Sequence, residues 1–142
     1  MFDTVVVATD GSESAERAVT VALDFAARFD ATVHALYVVD AGEVAESPAD
    51  VRGELEDALR AAGEEALSFV DDRAGAVTTV VREGDPATEV IDYAESTDAD
   101  LVATGTRGRH GEHAFLLGSV AEAVVRRAPM PVLTVRQLAD DE

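Results

Sequence analysis

LVATGTRGRHGEHAFLLGSV, from Leu101 to Val120, is the stretch around which the rest of the chain is organised. Its first four residues, 101–104, form an apolar run that predicts a buried strand. A loop containing Gly105 and Gly108 follows, and Gly118 comes directly before a helical pattern. Glycines let a backbone turn sharply and approach a ligand closely, and the start of a helix favours negative charge. The stretch therefore predicts a loop suited to holding an anion.

The rest of the chain alternates apolar runs with helical patterns. The first run is continuous, as in a strand buried on both faces, and Asp85 before Pro86 is a strong helix-start signal. The polar stretch 41–50 is the least ordered-looking part. Strands are predicted at Thr4 to Thr9, Thr32 to Val39, Ala76 to Val81, Leu101 to Thr104 and Val132 to Val135, with helices between them. This order predicts one α/β domain over residues 1–142, a Rossmann-like open parallel sheet with helices on both faces.

Composition excludes several classes of protein. The chain has 11 arginines and no lysine against 29 acidic residues, a net charge of −18. Such a surface repels nucleic acid and anionic lipid, so neither is expected as a partner. There is no cysteine for a disulfide or a thiolate metal site. No apolar run approaches the roughly 18 residues needed to span a bilayer, and we see no signal peptide, so a cytoplasmic protein is expected.

The charge also indicates where the protein works. Absent lysine, abundant aspartate and glutamate, and many small apolar residues resemble proteins of extreme halophiles. At molar salt the Debye length falls to about 3 Å, which makes strong self-repulsion tolerable. A high-salt origin is therefore expected.

The position of the loop limits its chemistry. In open α/β sheets, ligands bind beyond the carboxyl ends of the strands, where the strand order reverses. If the first and fourth strands are neighbours, the Asp10 turn and the 105–108 loop share one crevice. The chain lacks a Gly-Lys-Ser/Thr sequence, which excludes a Walker-type P-loop, and the first turn lacks the Gly-x-Gly-x-x-Gly pattern of a dinucleotide fold.

The spacing Gly105-x2-Gly108-x9-Gly118-Ser119 resembles the nucleotide-binding motif of the universal stress protein family, in its ATP-binding branch. Three further stretches are similar to the family: VVVATDGS at 5–12, EGDP at 83–86 and APMPV at 128–132. The resemblance covers essentially the whole chain. It implies a five-stranded sheet in the order 3-2-1-4-5.

The resemblance also implies a function and a site. It implies an ATP-binding dimeric sensor or switch in stress response, with AMP or ADP as alternative ligands and Mg²⁺ or Mn²⁺ accompanying the phosphates. The homodimer would form through the last strand, Val132 to Arg136, whose edge is otherwise exposed. Asp10 would lie by the adenosine, the Val38 backbone by the adenine, and the glycines with Ser119 by the phosphates. The candidate nucleotide-binding residues are Ala8, Thr9, Asp10, Val38, Gly105, Arg107, Gly108, Gly118, Ser119 and Val120.

Simpler roles compete for several of these residues. Asp10 or Ser12 is suited to capping the helix after the first strand, and Ser119 to capping the helix after the loop. Arg107 and Arg109 either neutralise phosphate charge or are solvated. His110, Glu112 and His113 are interpreted as exposed loop residues rather than as a metal site, and His34 as structural.

Three other functions compete with ATP sensing. A slow ATPase or autophosphorylating enzyme stays open, although the sequence offers no assigned general base and no lysine for the phosphates. A dimeric interaction module without nucleotide is disfavoured by the intact motif. A signalling receiver is excluded because that fold needs a phosphoacceptor aspartate after strand 3 and a lysine after strand 5.

Overall fold

Strands and helices alternate along the chain, which the computed structural model describes over residues 2–106 and 118–136. The strands are β1 (Thr4–Ala8), β2 (Thr32–Asp40), β3 (Thr78–Gly84), β4 (Leu101–Gly105) and β5 (Val132–Val135). The helices are α1 (Glu13–Phe29), α2 (Ala41–Glu46), α3 (Arg52–Arg73), α4 (Pro86–Ser96) and α5 (Ser119–Arg127), and a short 3-10 helix over Ala49–Val51 precedes α3.

The five strands form one parallel sheet in the order β3-β2-β1-β4-β5. This confirms the predicted fold class and strand order. β1 lies at the centre of the sheet, between β2 and β4. The first crossover therefore goes to one side of β1, and β4 pairs with its other side. Within the described residues, no helix is long and apolar enough to cross a membrane.

Helices cover both faces of the central strands. On one face, Val5 and Val7 of β1 belong to a core built with α1 and α3. On the other face, Val6 packs in a second core with α4 and α5. All three valines are fully buried. The first apolar run of the sequence is therefore continuous because its strand is covered by helices on both faces, as predicted.

Two local predictions were wrong. The polar stretch after β2 forms the helix α2, because Asp40 Oδ1 accepts hydrogen bonds from the backbone N–H groups of Gly42 (2.9 Å) and Glu43 (3.2 Å). The third strand begins and ends later than predicted, since its pairing with β2 continues to Gly84 opposite Asp40. Polar residues such as Arg82 tolerate this position because β3 is an edge strand.

The start of α4 follows the predicted signal. Asp85 is its N-cap, and its Oδ2 accepts hydrogen bonds from the backbone N–H (3.1 Å) and hydroxyl (2.8 Å) of Thr88. These bonds, with the nearby charge of Arg127, hold the pKa of the Asp85 carboxyl below its ordinary value. The cap fixes the first turn of α4, where Pro86 is located.

Removing this cap gives a prediction with a pH signature. We expect Asp85→Ala to lower the free energy of unfolding by about 1 kcal/mol at neutral pH, as for other N-caps. Because the folded-state pKa is depressed, the charge-dependent part of the stabilisation is present above the unfolded pKa and is lost as pH falls through the folded one. Urea unfolding at neutral pH and near pH 3 measures both terms. Asp85→Asn keeps a capping oxygen without the charge, so its stability must depend less on pH than that of the parent; equal slopes would contradict the assignment.

Candidate functional site

A cavity of about 190 Å³ opens at the carboxyl ends of β1, β2 and β4. It lies where the strand order reverses about β1, the position at which open parallel sheets bind ligands. The surrounding elements are these three strands, the following turns, and the first turns of α4 and α5. The lining residues are Ala8, Thr9, Asp10, Ala15, Leu36, Tyr37, Val38, Asp40, Pro86, Val90, Thr104, Gly105, Thr106, Gly118, Ser119, Val120 and Ala121.

Most residues predicted from the sequence meet at this cavity. Arg107 and Gly108 lie outside the described residues, as do 109–113 with the loop histidines. The others come from three separate parts of the chain, and the sheet brings them together. The predicted residues that line the cavity are Ala8, Thr9, Asp10, Val38, Gly105, Gly118, Ser119 and Val120.

Asp10 lies in the turn between β1 and α1, and its carboxylate shapes that turn. Asp10 Oδ1 accepts a hydrogen bond from the backbone N–H of Ser12 at 2.9 Å. The helix cap itself is Ser12, whose hydroxyl oxygen accepts from Ala15 N at 3.2 Å. Gly11 between them has φ +82°, a conformation that favours glycine. Of the two predicted caps, Ser12 is therefore the right one, and Asp10 lies at the cavity wall.

The end of β2 extends beyond the end of β1. In the last backbone hydrogen bond between these two segments, the N–H of Thr9 donates to the carbonyl oxygen of Leu36 at 2.9 Å. Backbone groups in a parallel strand alternate between its two neighbours, so the N–H and C=O of Val38 point to the same side as those of Leu36. Because β1 has ended there, the Val38 groups face the cavity edge rather than a strand. They provide one donor and one acceptor for the rim of a planar ligand.

The first turn of α5 forms the opposite wall. Gly118 is its N-cap and has no side chain to bond the first turn, so Ser119 does not have the alternative role of cap. Ser119 is the first helical residue, exposed at the cavity together with Val120. Helix starts carry N–H groups without intrahelical partners. This turn therefore presents the positive end of a helix dipole to the cavity.

Gly105 has a structural role that the sequence did not show. A β-carbon there would lie 2.5 Å from Ser14 Oγ and 2.8 Å from the Ser14 carbonyl oxygen. Glycine therefore lets α1 pack directly against the end of β4. This contact holds the start of α1, which follows the Asp10 turn, beside the end of β4.

Sequence relatives show the family of this chain. Residues 1–136 match the model of the universal stress protein family. The chain belongs to that family. Universal stress protein MJ0531 of Methanocaldococcus jannaschii is 39% identical over 142 residues, which cover 96% of this chain and 84% of the relative. A universal stress protein of Thermus aquaticus is 39% identical over 146 residues, covering 96% of this chain and 100% of the relative.

Solved structures of the same architecture cover nearly the whole chain. That of hypothetical protein MJ0577 has a TM-score of 0.85 at 27% identity, with 99% of both chains covered. Universal stress protein UspA from Lactobacillus plantarum has a TM-score of 0.81 at 29% identity, over 95% of this chain and 98% of that one. A universal stress protein in complex with cAMP has a TM-score of 0.66 at 31% identity, over 95% and 97% of the two chains.

Sequence reasoning missed part of this universal stress protein's cavity. Pro86 and Val90 of α4, with Leu36 of β2, supply an apolar wall. The sequence marked Pro86 only as a helix start. Its place in the cavity depends on α4 packing over β2, and that contact joins segments about 50 residues apart. Thr106 was also missed, because the spacing of the glycines does not show which of the residues between them line the cavity.

The charged groups around the cavity are acidic in the described part of this universal stress protein. Asp10 and Asp40 line it, and no described arginine does. The described residues contain no group of three His, Asp or Glu side chains able to hold a metal ion. An anionic ligand here would be held mainly by backbone N–H groups, and its charge would need a counterion.

His34 lies away from this cavity, on β2 beneath α4. Its Nδ1 is 2.6 Å from the hydroxyl of Tyr93, and the two ring centroids are 5.6 Å apart. Burial raises the pKa of the Tyr93 phenol, while the nearby Arg82 opposes that shift. The contact joins a strand to its covering helix, as the structural interpretation of His34 predicted.

Proposed function

We propose that this universal stress protein binds ATP in the cavity and acts as a dimeric, nucleotide-dependent sensor or switch in stress response. One observation carries the proposal: the open Val38 backbone, the Asp10 carboxylate and the first turn of α5 surround one cavity at the reversal point of the sheet. The solved structure of a relative at 31% identity contains cAMP, another adenine nucleotide.

Each wall of the cavity suits one part of a nucleotide. The apolar side chains of Leu36, Pro86 and Val90 suit a flat base, with the Val38 backbone groups at its edge. A carboxylate such as Asp10 accepts hydrogen bonds from ribose hydroxyls. The start of α5 suits the phosphates, because its N–H groups and dipole favour negative charge.

A divalent cation fits this arrangement as a companion of the phosphates. Mg²⁺ commonly keeps several waters and binds through substrate phosphates with one or two carboxylates. The cavity has Asp10 and Asp40 on its walls, and the described residues lack a larger cluster of metal ligands. We therefore expect Mg²⁺ or Mn²⁺ to enter with ATP, with Asp10 as the carboxylate nearest the ribose and phosphates. When bound, the ion would offset phosphate charge.

The proposed homodimer forms through β5 and its continuation, Val132 to Arg136. β5 is the last strand of the sheet order, so one of its edges has no neighbouring strand among residues 2–106 and 118–136. Val132, Leu133 and Thr134 are half-buried along it, and exposed strand edges pair readily with a second chain. The exclusion of nucleic acid and membrane partners and the high-salt origin stay predictions from the charge. The cytoplasmic location also stays a prediction.

The central test is equilibrium dialysis with ATP and Mg²⁺ in molar salt, together with extraction of nucleotide from the purified protein. We expect the parent chain to bind ATP. Asp10→Asn should weaken binding about tenfold, since hydrogen bonds to a charged group contribute about 1.5–3 kcal/mol. Asp50→Asn is the matched control, because Asp50 is exposed and lies away from the cavity. Absence of both binding and extracted nucleotide would refute the proposal.

A further inference from the structure

The carboxylate of Asp40 uses one of its two oxygens to hold the fold. Its Oδ1 accepts the hydrogen bonds from the backbone N–H groups of Gly42 and Glu43 that cap α2. Its Oδ2 has no hydrogen-bond partner in the described part of the chain. Among the buried and half-buried side chains that the structure describes, only the Thr106 hydroxyl is both unpartnered and inaccessible, so Asp40 Oδ2 keeps accessible surface. Asp40 lines the cavity, and this oxygen is therefore available to accept a hydrogen bond from a ligand.

Strand alternation places the Asp40 side chain on the α4 side of the sheet. Leu36 and Val38 of β2 pack in the core that α4 and α5 cover. Side chains two residues apart along a strand lie on the same face, and Asp40 is the last residue of β2. Pro86 and Val90 of α4 line the cavity on this face. The Asp40 carboxylate therefore lies at the outer end of the apolar wall that suits a flat base.

The sheet separates Asp40 from the start of α5. β2 and β4 lie on opposite sides of β1, and neighbouring strands are about 4.8 Å apart, so the ends of β2 and β4 are about 10 Å apart. Asp40 ends β2, whereas α5 begins beyond β4. The helix start favours anions, and a carboxylate repels them. Asp40 therefore lies at the base end of the cavity rather than at its phosphate end.

The order of the Val38 backbone groups indicates which atom of a base reaches Asp40. Along β2 the N–H of Val38 comes before its C=O, so a ligand atom bonded to the C=O lies nearer Asp40. The edge of adenine has a ring nitrogen acceptor beside an amino group with two N–H donors. With the ring nitrogen on the Val38 N–H and one amino hydrogen on the C=O, the second amino hydrogen would point along the strand toward Asp40. A carboxylate oxygen in that direction is a suitable acceptor for it.

We propose that Asp40 selects the base, because its Oδ2 accepts a hydrogen bond from the exocyclic amino group of adenine. The inference rests on the proposed function and adds to it a residue that determines which nucleotide binds. Hypoxanthine carries a keto oxygen where adenine carries the amino group, so inosine triphosphate would set an acceptor against Oδ2. Sites built to hydrogen-bond one group of a substrate reject analogues that lack it. The protein should therefore prefer ATP to inosine triphosphate.

Asp40→Asn tests this assignment without removing the cap of α2. The N–H groups of Gly42 and Glu43 need an acceptor, so the amide oxygen stays on them and the amide nitrogen takes the place of Oδ2. Aspartate and asparagine cap helices equally well, so Tm should change little. The donor in place of Oδ2 should lower the preference for ATP over inosine triphosphate about tenfold. The two triphosphates carry the same charge, so the lost charge of Asp40 changes both affinities equally and cancels in their ratio.

Two further variants separate base selection from capping. Asp40→Ser keeps a capping oxygen and has no second polar atom, so its preference for ATP should lie between those of the parent and Asp40→Asn. Ser47→Ala removes the hydrogen bond from Ser47 Oγ to the Glu43 carbonyl (3.1 Å), at the other end of α2. Ser47 lies outside the set of described residues that line the cavity. Ser47→Ala should therefore weaken α2 and keep the preference of the parent.

The experiment measures Kd for ATP and for inosine triphosphate by equilibrium dialysis with Mg²⁺, and Tm without ligand, for the four chains in the same molar salt. An unchanged ratio in Asp40→Asn, or a parent without preference for ATP, overturns the inference and leaves nucleotide binding intact. If Asp40→Asn does not fold, the ratio in Asp40→Ser decides in the same way. An equal fall in Ser47→Ala assigns the effect to α2 and also overturns the inference. Failure of the parent to bind either triphosphate overturns the proposed function, and this inference with it.

Discussion

Gly105→Ala is expected to lower the free energy of unfolding by about 3 kcal/mol, the high end for overpacking a close-packed interior. The added methyl carbon would lie 2.5 Å from Ser14 Oγ, 2.8 Å from the Ser14 carbonyl oxygen and 2.9 Å from its carbonyl carbon. Two of these atoms are backbone inside α1, so the whole helix must move. Since α1 begins at the Asp10 turn, ATP binding should weaken as well. Urea unfolding and dialysis on the same sample measure both effects.

The control for this substitution is Gly75→Ala. A β-carbon at Gly75 meets nothing within 4 Å, so its stability should stay within about 0.5 kcal/mol of the parent. Removing the Ser14 side chain as well, in Gly105→Ala/Ser14→Gly, should recover only part of the loss, because the two backbone contacts persist. If Gly105→Ala were as stable as Gly75→Ala, the close approach of α1 to β4 would be wrong.

Gly63→Ala is expected to lower the free energy of unfolding by about 2 kcal/mol. The new β-carbon would lie 2.5–2.9 Å from Cδ1, Cε1 and Cγ of the Tyr37 ring. Tyr37 is 1% exposed, so its ring cannot rotate into solvent. The overlap outweighs the gain of up to about 1 kcal/mol that alanine gives a helix over glycine. Because Tyr37 belongs to the cavity wall, ATP affinity should fall too.

The same helix offers an opposite control. Gly53 is also in α3, and a β-carbon there meets nothing within 4 Å. Gly53→Ala should therefore raise the free energy of unfolding, by up to about 1 kcal/mol, through helix propensity alone. Denaturation midpoints of the two variants should move in opposite directions from that of the parent. Two shifts of the same sign would show that propensity, rather than the Tyr37 contact, decides the effect of glycine in α3.

Gly63 and Gly105 show which features of the fold cannot be predicted from the sequence. From the sequence, Gly63 is a weak point in a helix and Gly105 is a turn residue. Both are places where another element approaches closely, and the partner residues, Tyr37 and Ser14, lie 26 and 91 positions away in the chain. A helix pattern or a glycine spacing reports only neighbours within a few residues. Contacts at longer separation need the packed structure.

The prediction for the segment of the short helix α2 was wrong for a different reason. Its polar composition gave no apolar face, which is the main helix signal in a sequence. The helix exists because one side chain, Asp40, caps it through two backbone N–H groups. The sequence contained this aspartate, but an aspartate at a strand end is also typical of a turn. Only the observed geometry distinguishes the two.

The sequence alone was sufficient to predict the alternation of strands and helices and some, but not all, of the residues that line the cavity beyond the ends of β1, β2 and β4. Burial on both faces leaves a continuous apolar run, and the family's loop spacing is a local pattern, so both can be read along the chain. Only the tertiary structure showed that Gly105 lets α1 pack against β4, that Gly118 rather than Ser119 is the N-cap of α5, and that the Thr106 hydroxyl is buried without a partner among the described residues. These facts depend on distances between segments far apart in the chain, and one-dimensional spacing does not contain them.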